Sequence, residues 1–214
     1  MIKTSTMLLI ALALCVSATA QSKPEDNKGP IFAKTPREIP LRPPLTIGAV
    51  EDNTYKNDSL GLQFTPSPGL KFGAPELKGK PGTLPLLVTV AAWSQANGGA
   101  VFYADDLDYY PEGRRTTKAY VERVIRSQKE QGLDLVEGET EGHLGGVSFA
   151  RIDLHQTLSY EVVLVKACDA HAFVFIFAAS DVESANKLIG ESTVKLDLKK
   201  SGCGGATPGT PQKK

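Results

Sequence analysis

Residues 160–179 read YEVVLVKACDAHAFVFIFAA, two apolar runs either side of a short polar break at 167–171. Neither run, 160–165 or 172–179, keeps a polar residue at every second position, so neither has a wet face. Strands apolar on both sides sit in the middle of a sheet with material packed above and below them. The stretch therefore predicts a layered sheet organised around a central hairpin. It constrains architecture far more than activity.

The start of the chain predicts where the protein goes. Residues 1–20 have the form of a secretory signal. Lys3 supplies the positive start, 7–16 the apolar run, and Ala18-Thr19-Ala20 a small-x-small cleavage site. That run is short for a bilayer span, and no later stretch is longer, so no transmembrane span is expected once the signal is removed. Cys15 follows Leu14 rather than a small residue, which argues against a lipid anchor. The expected location is secreted or periplasmic, with the mature chain beginning near Gln21.

Loss of the signal leaves Cys168 and Cys203. In an oxidising compartment they are a natural pair, closing a loop of about 35 residues for roughly 3–4 kcal/mol. The alternative is two independent thiols, one buried and one in the tail.

Residues 21–50 carry Pro24, Pro30, Pro36, Pro40, Pro43 and Pro44 without hydrophobic periodicity and read as an extended linker. The folded domain is expected over 53–200 and a disordered tail over 201–214. Residues 53–55 and 60–65 flank Asn57-Asp58-Ser59 as an opening hairpin. That tripeptide also fits a glycosylation acceptor. Residues 76–83 read as a loop and 84–93 as an apolar strand. Asn97-Gly98 is a tight turn, with 100–103 as the returning strand. Asp105, Asp106 and Asp108 lack the spacing of a calcium loop and read as a solvated acidic turn.

Thr116 or Thr117 caps a helix to about Gln131, stopped by Gly132. Tyr120, Val121, Val124 and Ile125 form its apolar stripe; Glu122, Arg123, Arg126 and Lys129 form its wet face. Residues 135–141 alternate glutamates as an exposed edge strand does. His143-Leu144-Gly145-Gly146 is a turn into a strand over 147–155. Ser180-Asp181-Val182-Glu183 is a capping-box pattern opening a second helix that ends near Gly190, and 193–198 is a last half-buried strand. The order predicts an α+β fold, a central, mostly antiparallel sheet covered by helices as an α/β/α sandwich, with the opening hairpin available to cover what the helices leave.

Tyr55-Lys56-Asn57-Asp58-Ser59-Leu60-Gly61-Leu62-Gln63-Phe64, followed by Pro66 and Pro68-Gly69, resembles the opening of the PsbP-like superfamily. That group includes the photosystem extrinsic protein, the Mog-type Ran-binding import factor and bacterial extracytoplasmic, DcrB-like relatives. The similarity runs on through the first helix, the Gly145–Ala150 strand entry and the 173–177 strand, over about 53–198. It implies a domain that binds partners or assists assemblies, with no shared catalytic residues to carry over.

No assembled chemistry emerges from the residues themselves. A hydrolase would use Ser148, Asp153 and His155, but the serine falls inside a strand rather than on a strand-to-helix elbow. A metal site would draw on Cys168-x-x-His171 with His143, His155 or Cys203, but a second paired motif is missing. Gly145-Gly146 precedes a strand, so a phosphate cradle at a helix start is not formed. Balanced charge, 24 Lys and Arg against 24 Asp and Glu, argues against a nucleic-acid binder. Phe173, Phe175 and Phe177 alternate on one strand as core residues. Trp93, Tyr103, Tyr109 and Tyr110 are the candidate contact patch.

The expectation is a secreted or periplasmic, non-enzymatic binding or accessory domain. It has no catalytic, cofactor or metal residues assigned, and its partner is a protein or envelope component. The alternative is a small extracytoplasmic metal-binding protein or enzyme centred on Cys168 and His171.

Overall fold

The computed structural model describes residues 45–78 and 87–203. The expected signal, most of the proline-rich linker and the tail from Gly204 lie outside the described residues. So do Pro81, Gly82 and the first three residues of the expected 84–93 strand.

Every strand pairing is antiparallel. The large sheet is built on β6 (Leu87–Ser94), β7 (Gly98–Asp106), β8 (Asp134–Leu144), β9 (Val147–Gln156), β10 (Ser159–Ala167) and β11 (His171–Ala179). They lie in the order β6-β7-β11-β10-β9-β8. Two short strands, β4 (Lys71–Phe72) and β5 (Glu76–Lys78), pair with the outer edge of β6. The small sheet has the order β1-β2-β3-β12, from β1 (Ala49–Glu51), β2 (Thr54–Asn57), β3 (Leu62–Thr65) and β12 (Thr193–Leu196). The helices are α1 (Thr117–Glu130) and α2 (Val182–Glu191).

The two apolar runs occupy the middle of the large sheet as β10 and β11, paired along their length from Tyr160↔Ala179 to Ala167↔Ala172. Alternation then divides the core in two. Phe173, Phe175 and Phe177, with Phe102, Val162 and Leu164, face Tyr55, Leu62 and Phe64 of the small sheet and Ala185 and Leu188 of α2. Val174, Ile176, Val163, Val165, Ile152 and Leu154 face Tyr120, Val121 and Val124 of α1. Phe175 is the hub of the first core, within 5.1 Å of Phe64 and 4.9 Å of Phe102 between ring centroids.

One outer layer is therefore α1, and the other is the small sheet together with α2. A helix on each side is too simple a picture. The opening hairpin turns Tyr55, Leu62 and Phe64 to one face, and Val194 of β12 joins them. A half-buried sheet of that kind must find a partner surface, and the phenylalanine face of β11 supplies it.

Local signals are mostly expressed as read. Thr116 Oγ1 accepts from Ala119 N at the head of α1. Its other end closes with Gly132 at φ +84, Gly132 N bonding Lys129 O and Leu133 N bonding Gln128 O, the paired pattern of a glycine-stopped helix. The cap of α2 is Asp181, one residue later than the serine-led box predicts. It accepts from Ser184 N, and Ser180 donates to its carboxylate.

Other boundaries move. Residues 45–50 belong to the fold rather than to a linker, since Leu45 is buried and β1 pairs with β2. Residues 76–78 are strand β5 rather than loop. His143 and Leu144 end β8, leaving Gly145-Gly146 alone as the turn. Gly145, at φ +58, has no room for a Cβ, which would strike the backbone of Val194. The β8–β9 turn and the small sheet touch there.

Candidate functional site

Among the described residues a dense polar cluster lies between β7, α1 and the connection joining them. Val101, Tyr103 and Asp105 alternate onto the α1 side of the sheet, so the carboxylate of Asp105 is buried, with 7% of the residue exposed. Its Oδ2 accepts three hydrogen bonds, from Tyr110 Oη at 2.9 Å, Tyr120 Oη at 3.1 Å and an Arg123 guanidinium nitrogen at 3.0 Å. The guanidinium carbon of Arg123 lies 4.0 Å from the ring centroids of both Tyr110 and Tyr120. Two tyrosines thus hold one arginine against one carboxylate.

Burial pushes the Asp105 carboxyl above its ordinary value, outweighing Arg123 and the two phenols, and pushes both phenols up as well. A second tie lies just downstream. Arg115 donates to Asp108 Oδ1 at 2.9 Å, to Asp108 O at 3.1 Å and to Tyr110 O at 2.8 Å. Asp106 Oδ1 accepts from Asp108 N. The acidic turn read as solvated is instead pinned by two arginines, and Arg123 leaves the wet face of α1 to do it. The cluster satisfies itself, which is the arrangement of a structural latch.

The contact patch does not assemble. Tyr110 belongs to the latch, and Tyr103 packs half-buried at the edge of the α1 core. Trp93, 52% exposed, pairs with Gly99 at the start of β7, whereas Tyr109 and Tyr110 follow its end. That separation is roughly 25 Å along the strand.

Cys168 and Cys203 form a disulfide with Cα atoms 4.7 Å apart. It fastens the segment after β12 onto the β10–β11 turn, where Asp169 N also meets Gly202 O. With its sulfur bonded to Cys203, Cys168 cannot serve as a thiolate ligand beside His171. Among the described residues no three His, Cys, Asp or Glu side chains gather as a metal cluster. Ser148 donates to Glu141 Oε1 at 2.6 Å, while Asp153 takes Arg151 and Tyr160 on the opposite face of β9. The three hydrolase candidates are not brought together.

An open groove of about 440 Å³ lies beside the first turn of α1. Glu139 and Glu141 of β8, Ser148 of β9, Val165 and Lys166 of β10 and Thr117 of α1 line it. Lys166 Nζ donates to Ser148 O at 3.1 Å, and Thr117 Oγ1 accepts from Ala167 N at 3.1 Å. β8 shifts register twice here, between Leu135 and Glu137 and between Glu137 and Thr140, and such irregularities re-aim side chains at a sheet edge. The groove presents carboxylates, a hydroxyl and an ammonium on paired strands, with no histidine among its lining residues. Only the alternating glutamates hinted at it in the sequence.

No described helix is long and apolar enough to cross a membrane. No protein-family model, curated protein or solved structure matches the chain.

Proposed function

We propose that this chain is an extracytoplasmic, non-enzymatic binding or accessory domain of the PsbP-like kind, and that it contacts a protein or envelope partner through the groove beside α1. The observation that carries the reading is the groove itself, an open polar surface on paired strands that offers carboxylates, a hydroxyl and an ammonium to a partner. The densest cluster of ionisable groups, around Asp105, is spent on holding the fold. The disulfide suits an oxidising compartment. The kinship rests on the Tyr55–Phe64 opening with Pro66 and Pro68-Gly69, and the proline-rich leader serves as a spacer.

A photocrosslinking residue at Thr140 tests the proposal in the intact extracytoplasmic fraction, with one at Lys71 on the far edge of the sheet as control. The expected result is a discrete adduct at Thr140 that Glu139→Lys with Glu141→Lys abolishes. Equal labelling at both positions, or none at Thr140, overturns it.

A further inference from the structure

Glu161 lies on β10, one of the two central strands of the large sheet, and is 3% exposed. Alternation puts it on the α1 side with Val163 and Val165. Its Oε2 has no hydrogen-bond partner, and the same holds for Oε1 of Gln128, which is buried on the stripe of α1 that packs on this face. The interface between α1 and the sheet thus holds two buried acceptor atoms that no donor reaches.

Among the described residues no charged group offsets Glu161. Its cross-strand neighbours are Leu154 on β9 and Ala178 on β11. The residues flanking these on the same face are Ile152 and Gln156, and Ile176 and Ser180; on β10 itself they are Ser159 and Val163. Gly99 of β7 lies beyond Ala178. On α1, Glu122, Arg126, Lys129 and Glu130 are exposed, and Arg123 is held at Asp105. Asp153, Arg151 and His155 of β9 point to the other face of the sheet, and Asp134 at the start of β8 is exposed. An ionised carboxylate there meets the full cost of desolvation, which a neutral carboxylic acid avoids.

We propose that Glu161 is a proton-operated seat for α1, a neutral acid while the helix packs on the sheet and a carboxylate, its proton released to solvent, when the helix loosens. Burial alone pushes this carboxyl up to about 7. Its folded value therefore lies above the unfolded 4.5, so stability is fullest in acid, falls as pH rises between these values and levels off above them. Thr117, at the head of the same helix, forms one wall of the groove. The switch stands independently of what the groove binds.

Amide exchange of the intact protein between pH 5 and 8, corrected for intrinsic rates, tests it. The expected result is a loss of protection over 121–130, relative to β11, of up to roughly 70-fold, absent in Glu161→Gln. Carbon NMR of labelled Glu161 in the unaltered protein gives a second readout, with a midpoint expected at about 7. A midpoint in the ordinary carboxylate range, or parallel exchange profiles for the two proteins, overturns the proposal.

Discussion

Replacing Asp105 by asparagine and by alanine separates two roles of the buried carboxylate, its charge and its use as an acceptor. All three donors converge on one oxygen, Oδ2. Asparagine has the same shape and keeps a carbonyl oxygen able to stand there. Because burial outweighs Arg123 and holds the carboxyl above its ordinary value, the fold prefers the uncharged form more than the unfolded chain does. The carboxylate's contribution therefore falls as pH climbs from 3.8 toward the raised folded value, the reverse of an ordinary paired aspartate.

Asp105→Asn is expected to cost less than about 1 kcal/mol at neutral pH and to remove that part of the pH dependence. Asp105→Ala strips the partner from the Tyr120 hydroxyl, which is buried, and from that of Tyr110. It is expected to cost about 3 kcal/mol. Little of that comes from Arg123, whose side chain is 37% exposed and can turn to water. Urea unfolding at constant slope measures both variants. If asparagine costs as much as alanine, the charge pair with Arg123 dominates and the reasoning fails.

Three further outcomes follow from the fold. Cys203→Ser opens a loop of sequence separation 35 and is expected to lower stability by about 3–4 kcal/mol, read as the difference in urea midpoint between oxidised wild type and variant. Asn57 Nδ2 donates to Thr46 O at 2.7 Å and to Tyr55 Oη at 2.9 Å, so its amide is occupied inside the fold; mass spectrometry of protein folded before exposure to a glycosylating extract is expected to show it unmodified. Gly98, at φ +93, has no room for a Cβ beside Ala178 O. Gly98→Ala is expected to cost at least about 2 kcal/mol by thermal unfolding, while Gly113→Ala, in open space, changes little.

What the sequence displays well is periodicity over long elements. The two-faced runs of β10 and β11, the stripe and caps of α1 and the alternation of β9 all rest on repeated local pattern. What it hides is assembled across the sheet. Asp105 stands beside Asp106 and Asp108 in the chain and so resembles a wet turn, yet alternation with Val101 and Tyr103 turns it inward. Arg123 follows Glu122 and precedes Arg126 on the polar side of its helix and is recruited because β7 ends beneath it. Glu161 disappears into an apolar run whose average is hydrophobic. β1 and β5 are three residues each, too short for a period to show. The groove draws on four separate elements, and no single stretch announces it.

The small sheet joins one end of the domain to the other, with Thr65 of β3 opposite Thr193 of β12. A chain released only as far as the end of β11 therefore has its phenylalanine face in place but still lacks Ala185 and Leu188 of α2 and Val194 of β12 to complete the cover. Closure waits for the last strand, and the disulfide seals it only after that. That order also makes β12, the edge partner of β3, the piece most worth supplying in trans to a chain that ends before it.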